Sequence, residues 1–181
     1  PEAVAKYAEV AAILAQRVDL LIGETVASLA HARALIDGAR QAAPGKPLWL
    51  SVTIEDRDGT LLRSGEKVAD LAPLMPQVDA ILANCSAPEA MDQVMPVFAT
   101  FGKPYGAYAN GFQRITSDFL KDNATVDALS ARPELTPERY ADFALGWVRA
   151  GASIVGGCCE TGPDHIAETA RRLRAAGHAI I

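Results

Sequence analysis

Cys85, Cys158 and Cys159 are the three thiols in a chain of 181 residues, and each stands where an apolar run gives out. Cys158 and Cys159 close the stretch Ala152-Ser153-Ile154-Val155-Gly156-Gly157-Cys158-Cys159, and Cys85 closes Ile81-Leu82-Ala83-Asn84-Cys85. Adjacent side chains on an extended strand point to opposite faces, so two neighbouring thiols share a target only if the backbone bends between them. An odd, low cysteine count argues against a disulfide scaffold and for metal or catalytic use in a reducing compartment. Cys85 by itself reads more readily as a buried apolar cysteine. Other polar side chains fall at comparable places: Glu24 after an apolar run from Val18, Asn84 beside Cys85, and Asn110 after Tyr105-Gly106-Ala107-Tyr108-Ala109.

The elements that must carry these residues alternate. Residues 2–17 place Ala3, Tyr7, Val10, Ala11 and Leu14 at helical spacing, and residues 18–25 follow as a short strand. Residues 28–41 form an alanine-rich helix that Pro44-Gly45-Lys46-Pro47 stops. Residues 48–54 are the next strand, 55–65 a polar excursion with an Asp58-Gly59 turn, and 68–75 a helix. Excursions of this length in compact domains are often functional. A strand over 78–85 leads to a helix over 88–101, with Pro96 expected to bend or divide it. A glycine- and alanine-weakened strand covers 103–111. Residues 113–133 read as a long polar loop over the site. A helix from Thr136-Pro137-Glu138 to Arg149 puts Tyr140, Phe143, Ala144 and Trp147 on one face. The last strand is Ser153 to Val155, and Thr161 is placed as N-cap of the last helix, with Asp164 three residues on and Pro163 in the first turn.

Five strands thus alternate with helices and collect Glu24, Cys85, Asn110, Cys158 and Cys159 at their carboxyl ends. Both a (β/α)8 barrel and an open doubly wound sheet gather chemistry at that edge. The sequence has no Gly-x-Gly-x-x-Gly turn and no phosphate loop, which favours the barrel. Half of the residues are hydrophobic, enough for one domain over residues 1–181. The net charge of -5, without a basic block, makes a nucleic-acid partner unexpected. No apolar run reaches the length of a membrane span, and the start of the chain lacks signal-peptide character, so a cytoplasmic location is the expectation.

Gly23-Glu24-Thr25, Asn84-Cys85, the Tyr108-Ala109-Asn110 segment, the helix with alanines and Trp147, Gly156-Gly157-Cys158-Cys159 and Pro163-Asp164-His165-Ile166 occur in this order. In that order and spacing the chain resembles the homocysteine S-methyltransferase family from about Tyr7 to Leu173. The resemblance implies an α/β fold of (β/α)8 TIM-barrel type, of which about the last five βα units are present. It implies Zn2+ held by Cys85, Cys158 and Cys159, with the fourth tetrahedral position open to the substrate thiol. Homocysteine would bind as thiolate and take a methyl group to give methionine, with small-molecule partners only and self-association left open. Glu24 is implied as the group for the homocysteine ammonium, with Asn110 and Asn84 near the substrate. A sulfonium compound is the preferred methyl donor. Glu160 stands where the family more often has glycine.

His165 could ligate metal, but its place in the first helical turn favours a supporting role. Tyr105 and Tyr108 read equally as core residues or donor contacts, Asn84 as a strand-end cap, and Asn110 as a turn residue before Gly111. A second function class remains open from the sequence: a non-catalytic zinc-binding or scaffold chain, a partial barrel whose uncovered edge a partner or further segment completes.

Overall fold

The computed structural model describes residues 1–113 and 129–181. Its centre is a five-stranded parallel sheet in the order β1-β2-β3-β4-β5. The strands are β1 (Leu21–Val26), β2 (Leu48–Val52), β3 (Ala80–Asn84), β4 (Tyr105–Tyr108) and β5 (Ile154–Val155). Helices α1 (Glu2–Leu14), α2 (Leu29–Ala42), α3 (Pro88–Ala99), α4 (Pro137–Arg149) and α5 (Pro163–Ala175) alternate with them. Each strand pairs with its sequence neighbour, so the order never reverses, as it would at the switch point of a doubly wound sheet. Right-handed crossovers between sequential neighbours place the connecting helices on one face.

Register separates the two faces of the sheet. Gly23, Leu50 and Ile81 lie side by side, as do Val52, Ala83, Ala107 and Val155. Of these, Leu50, Val52, Ile81, Ala83 and Ala107 are wholly buried in the apolar core that Ile36, Met91, Met95, Phe98, Tyr140 and Trp147 bring from the helix side. The alternate positions Ile22, Trp49 and Ala80, then Ser51, Leu82, Gly106 and Ile154, then Asn84 and Tyr108, form the other face. A Cβ at Gly23 would meet the end of the Leu35 side chain of α2, which would have to shift.

Several expectations are refined. The segment expected as a helix over 68–75 is a 3-10 helix, Val68–Gln77, because Pro73 and Pro76 remove N–H donors that α-helical bonding would need. Pro96 does not divide α3, which runs on to Ala99; it lies in the last turn, so little helix follows the hydrogen bond that it forgoes. The last helix is capped differently. Its N-cap is Gly162 rather than Thr161, the Gly162 N–H donating to His165 Nδ1 at 3.2 Å, while the Thr161 hydroxyl turns back to donate to the Cys158 carbonyl. Most of the expected loop over 113–133 lies outside the described residues. Its two ends meet, with Gln113 N–H donating to Ser130 O and Arg132 N–H to Gly111 O, both at 2.8 Å. No helix among the described residues is long and apolar enough to cross a membrane.

Candidate metal centre

The site grows out of the carboxyl ends of β1, β3, β4 and β5. Chain leaving β3 turns at once: Cys85 adopts φ 51°, in the left-handed region that a residue with a Cβ enters only at a cost of about 1–2 kcal/mol. Thr25 after β1 (φ 57°) and Glu160 after the cysteine pair (φ 62°) do the same, and these three are the positive-φ residues other than glycine among those described. All three cluster at the site, so the strain is concentrated where side chains must be aimed rather than spread over the fold.

The bend brings the thiols together. Cys85 Sγ lies 3.9 Å from Cys159 Sγ, Cys159 Sγ lies 3.8 Å from Cys158 Sγ, and the three sulfurs all fall within 4.8 Å of one another, close enough to hold a single metal ion. All three cysteines are free, Cys85 and Cys158 half-buried and Cys159 exposed. Backbone bonds fix the pair: Cys158 N–H donates to Ala109 O at 3.0 Å, and Cys159 O accepts from Gly111 N–H at 2.8 Å.

Three thiols this close cannot ionise independently. Hydrogen bonding from the Cys85 thiol holds Cys158 down at about 6, whereas donating that bond, together with burial, pushes Cys85 far up. Burial and the adjacent Cys158 charge also raise Cys159. These directions describe one thiolate stabilised by two neighbouring thiols, and three soft sulfur donors this close could hold a metal ion.

Glu24 sits exposed at the β1 tip, and the Tyr108 hydroxyl donates to its Oε1 at 3.0 Å. Burial raises the Tyr108 hydroxyl well above its ordinary value, so it remains a donor throughout the neutral range. Asn84 is fully engaged within the protein: its Oδ1 accepts from Thr25 N–H at 3.0 Å and from Ser51 Oγ at 2.8 Å, and its Nδ2 donates to Thr25 Oγ1 at 2.9 Å. It therefore clamps the β1 tip, and Glu24 with it, to β2 and β3. Asn110 is buried; its Oδ1 accepts from Phe112 N–H at 3.2 Å in an Asx-type turn, while its Nδ2 has no hydrogen-bond partner among the described residues.

Tyr105 belongs to the framework, its hydroxyl donating to Ala150 O at 2.6 Å and its ring packing edge-on against Phe98. His165 also supports rather than joins the thiols. With Nδ1 occupied by the Gly162 N–H, its Nε2–H is directed to Leu135 O at 3.0 Å, and its ring stands edge-on to Tyr140. Tyr140 has a role that the sequence did not disclose. From the helix face it donates to Gly156 O at 2.7 Å and accepts Ala109 N–H at 3.0 Å, tying the tips of β4 and β5 together beneath the cysteine pair. Its even spacing with Trp147 marked it only as core. A separate cavity of about 630 Å3, lined by Trp49, Gly151, Ala152, Ser153 and Ile154 among others, lies toward the amino end of β5, away from the thiols.

Comparison with known proteins adds to this geometry. The model of the homocysteine S-methyltransferase family matches residues 2–173. The chain belongs to the homocysteine S-methyltransferase family. Among curated members, homocysteine S-methyltransferase 4 of Zea mays is 28% identical over 162 residues, covering 87% of this chain and 45% of its own length. Methionine synthase of Mycobacterium leprae (strain TN) is 32% identical over 162 residues, covering 84% of this chain and 12% of that protein. In structure, the homocysteine methyltransferase MmuM from Escherichia coli in its metallated form aligns with a TM-score of 0.64 at 28% identity, over 93% of this chain and 52% of that one. The chain thus spans about half the length of the homocysteine S-methyltransferases it matches.

Proposed function

We propose that the chain is the portion of a (β/α)8 barrel that carries the metal, that Cys85, Cys158 and Cys159 bind Zn2+, and that the protein methylates the sulfur of homocysteine to give methionine. The observation that carries this reading is the sulfur triangle. Two of its edges, 3.9 and 3.8 Å, match the edge of about 3.8 Å expected for a tetrahedron with Zn–S bonds of about 2.3 Å. Three cysteines leave one tetrahedral position, the donor set of a catalytic rather than a structural site. The family membership and a metallated structural relative support the same reading.

When bound, zinc supplies Lewis acidity that keeps its three cysteine ligands and a homocysteine thiol, taken as the fourth, deprotonated near neutral pH. The chain's own residues bind and orient the substrate. Glu24, steadied by Tyr108 and by the Asn84 clamp on Thr25, receives the homocysteine ammonium. Asn110 offers Nδ2, a buried donor otherwise left unsatisfied at a cost of about 1–3 kcal/mol, to an acceptor on the substrate. So held, the homocysteine sulfur attacks the methyl carbon of a sulfonium donor in line. The S–CH3 bond forms as the donor's bond to that carbon breaks, and its electron pair leaves on the donor sulfur, as a thioether. The reduced thiols suit a cytoplasmic setting.

The test is elemental analysis of reduced protein, paired with proton release on homocysteine addition. One zinc per chain in the wild type, lost in Cys158→Ser, is the expected result. Stoichiometric zinc retained by Cys158→Ser would overturn the three-thiolate site.

A further inference from the structure

Cys85 reaches the other two sulfurs only because its backbone is held at φ 51°, and the residues that hold it come from the excursion at 55–65. This segment folds back beside β2, with Ile54 bridging Leu62 and Leu61 bridging Lys67, and Arg63 N–H donating to Thr53 O at 3.0 Å. The fold-back buries the Arg63 side chain to 8% exposure beside Asp56 at 10%, with their charged atoms 3.2 Å apart. A cation is thereby placed in the interior behind the β3 turn rather than in solvent.

One nitrogen of that guanidinium, Nη2, reaches three oxygens: Asp56 Oδ1 at 3.2 Å, Ser86 Oγ at 3.3 Å and Thr53 Oγ1 at 3.5 Å. Ser86 is wholly buried and brackets the turn, donating to Asn84 O at 3.1 Å and accepting Ile54 N–H at 2.9 Å. Thr53 Oγ1 lies 3.1 Å from Ser86 Oγ, a contact in which either hydroxyl can donate, and 3.4 Å from Cys85 O, to which it can donate. Asp56 Oδ1 also accepts Ala87 N–H at 2.9 Å. The carbonyls of Asn84 and Cys85 and the N–H of Ala87 are therefore all held by groups that converge on Arg63.

We infer that Arg63 is a positioning residue for the metal centre: through Ser86, Thr53 and Asp56 it locks the left-handed turn that aims the Cys85 sulfur at Cys158 and Cys159. This rests on the three-thiolate reading above. Partners of metal ligands that set their orientation change metal affinity by about 10–100-fold when removed. Lysine at position 63 keeps the charge, but its side chain ends one atom short of Nη2, the nitrogen that meets all three oxygens.

The experiment titrates reduced protein with Co2+, following the sulfur-to-cobalt charge-transfer absorption and the d–d bands, with chelator competition for affinity and circular dichroism for folding. Arg63→Lys and Ser86→Ala are expected to be folded, to bind Co2+ about 10–100-fold more weakly, and to show shifted d–d bands. Ile36→Val, in the core of α2, is expected to lower the melting temperature and leave the bands alone. Should Arg63→Lys fail to fold, Thr53→Val, which removes the bond to Cys85 O, decides the matter by the same readout. Wild-type bands and affinity in folded Arg63→Lys, or in Thr53→Val where that variant decides, would overturn the role of Arg63. Absence of thiolate bands in the wild type would instead overturn the metal site itself, and this inference with it.

Discussion

Tyr108 at the end of β4 donates its hydroxyl hydrogen to Glu24 at the end of β1, 3.0 Å away, although β2 and β3 lie between the two strands. Strands three places apart in a flat sheet are separated by about 14 Å, and side chains stand roughly perpendicular to the sheet. The bond therefore requires the sheet to curl toward the face that carries Ser51, Asn84 and Tyr108. The same curl gathers the strand tips around the thiols.

Tyr108→Phe removes this bond while keeping the ring. In the proposed site the variant is expected to stay folded and to bind zinc as the wild type does, while homocysteine affinity falls about 3–10-fold, the range of one ordinary hydrogen bond. Calorimetric titration of wild type and variant checks this; unchanged affinity would remove Glu24 and Tyr108 from substrate recognition.

Alkaline pH should destabilise the fold through the tyrosines. Burial raises both Tyr108 and Tyr140 above the ordinary tyrosine value, so in mild alkali they keep protons that the unfolded chain gives up. Native protein then binds more protons than unfolded, and stability falls as pH rises beyond about 10. Denaturant melts between pH 8 and 11, with tyrosinate absorbance followed alongside, would register the loss, and Tyr108→Phe would flatten it.

Metal-free, reduced protein should react unevenly with iodoacetamide. With Cys158 held at about 6 by the Cys85 thiol and the other two raised, Cys158 is expected to be alkylated first at pH 7. Its rate should rise with pH through about 6, and added Zn2+ should suppress it. Peptide mass spectrometry over a time course gives the order.

Tyr140→Phe strands two backbone groups, the buried Ala109 N–H and the part-buried Gly156 O. A loss of about 1–3 kcal/mol in stability follows from leaving them unpaired. Weaker metal binding is also expected, because Ala109 and Gly156 flank the anchor of Cys158. Chemical denaturation and cobalt titration measure the two effects separately.

Glu160→Gly relieves the backbone at φ 62° and is expected to stabilise the protein by about 0.5–1 kcal/mol, or about 2–4 °C in melting temperature at most for a chain of this size. Gly111→Ala should act oppositely. A Cβ there would lie 2.8 Å from that of Glu160, and thermal melts of the pair would separate strain from crowding.

The framework was largely legible in the sequence because it depends on periodicity. β-branched and apolar runs became strands at nearly the expected places, and helical spacing marked the faces of α2 and α4 that face the core. The three cysteines could be singled out by type and by position at strand ends. What the sequence could not disclose depends on contacts between distant residues. The engagement of Asn84 with Thr25 spans 59 positions, and Tyr140, spaced as a core residue, gives no sign that its hydroxyl closes two strand tips. Arg63 in a polar excursion looks solvated until the chain folds back and buries it. The cap at Gly162 was missed because Thr161 satisfies the pattern of a capping residue but spends its hydroxyl on Cys158 O.

Cys85 and Cys159 meet across 74 positions of sequence. An ion joining their sulfurs is, for the unfolded chain, a reversible cross-link of the same topology as a disulfide. By the loop-entropy relation, closing a ring of that size removes the equivalent of about 4 kcal/mol of disorder from the unfolded state. In the proposed site, metal supply and the persistence of the fold would be linked, because chelation would loosen the tether between the ends of β3 and β5.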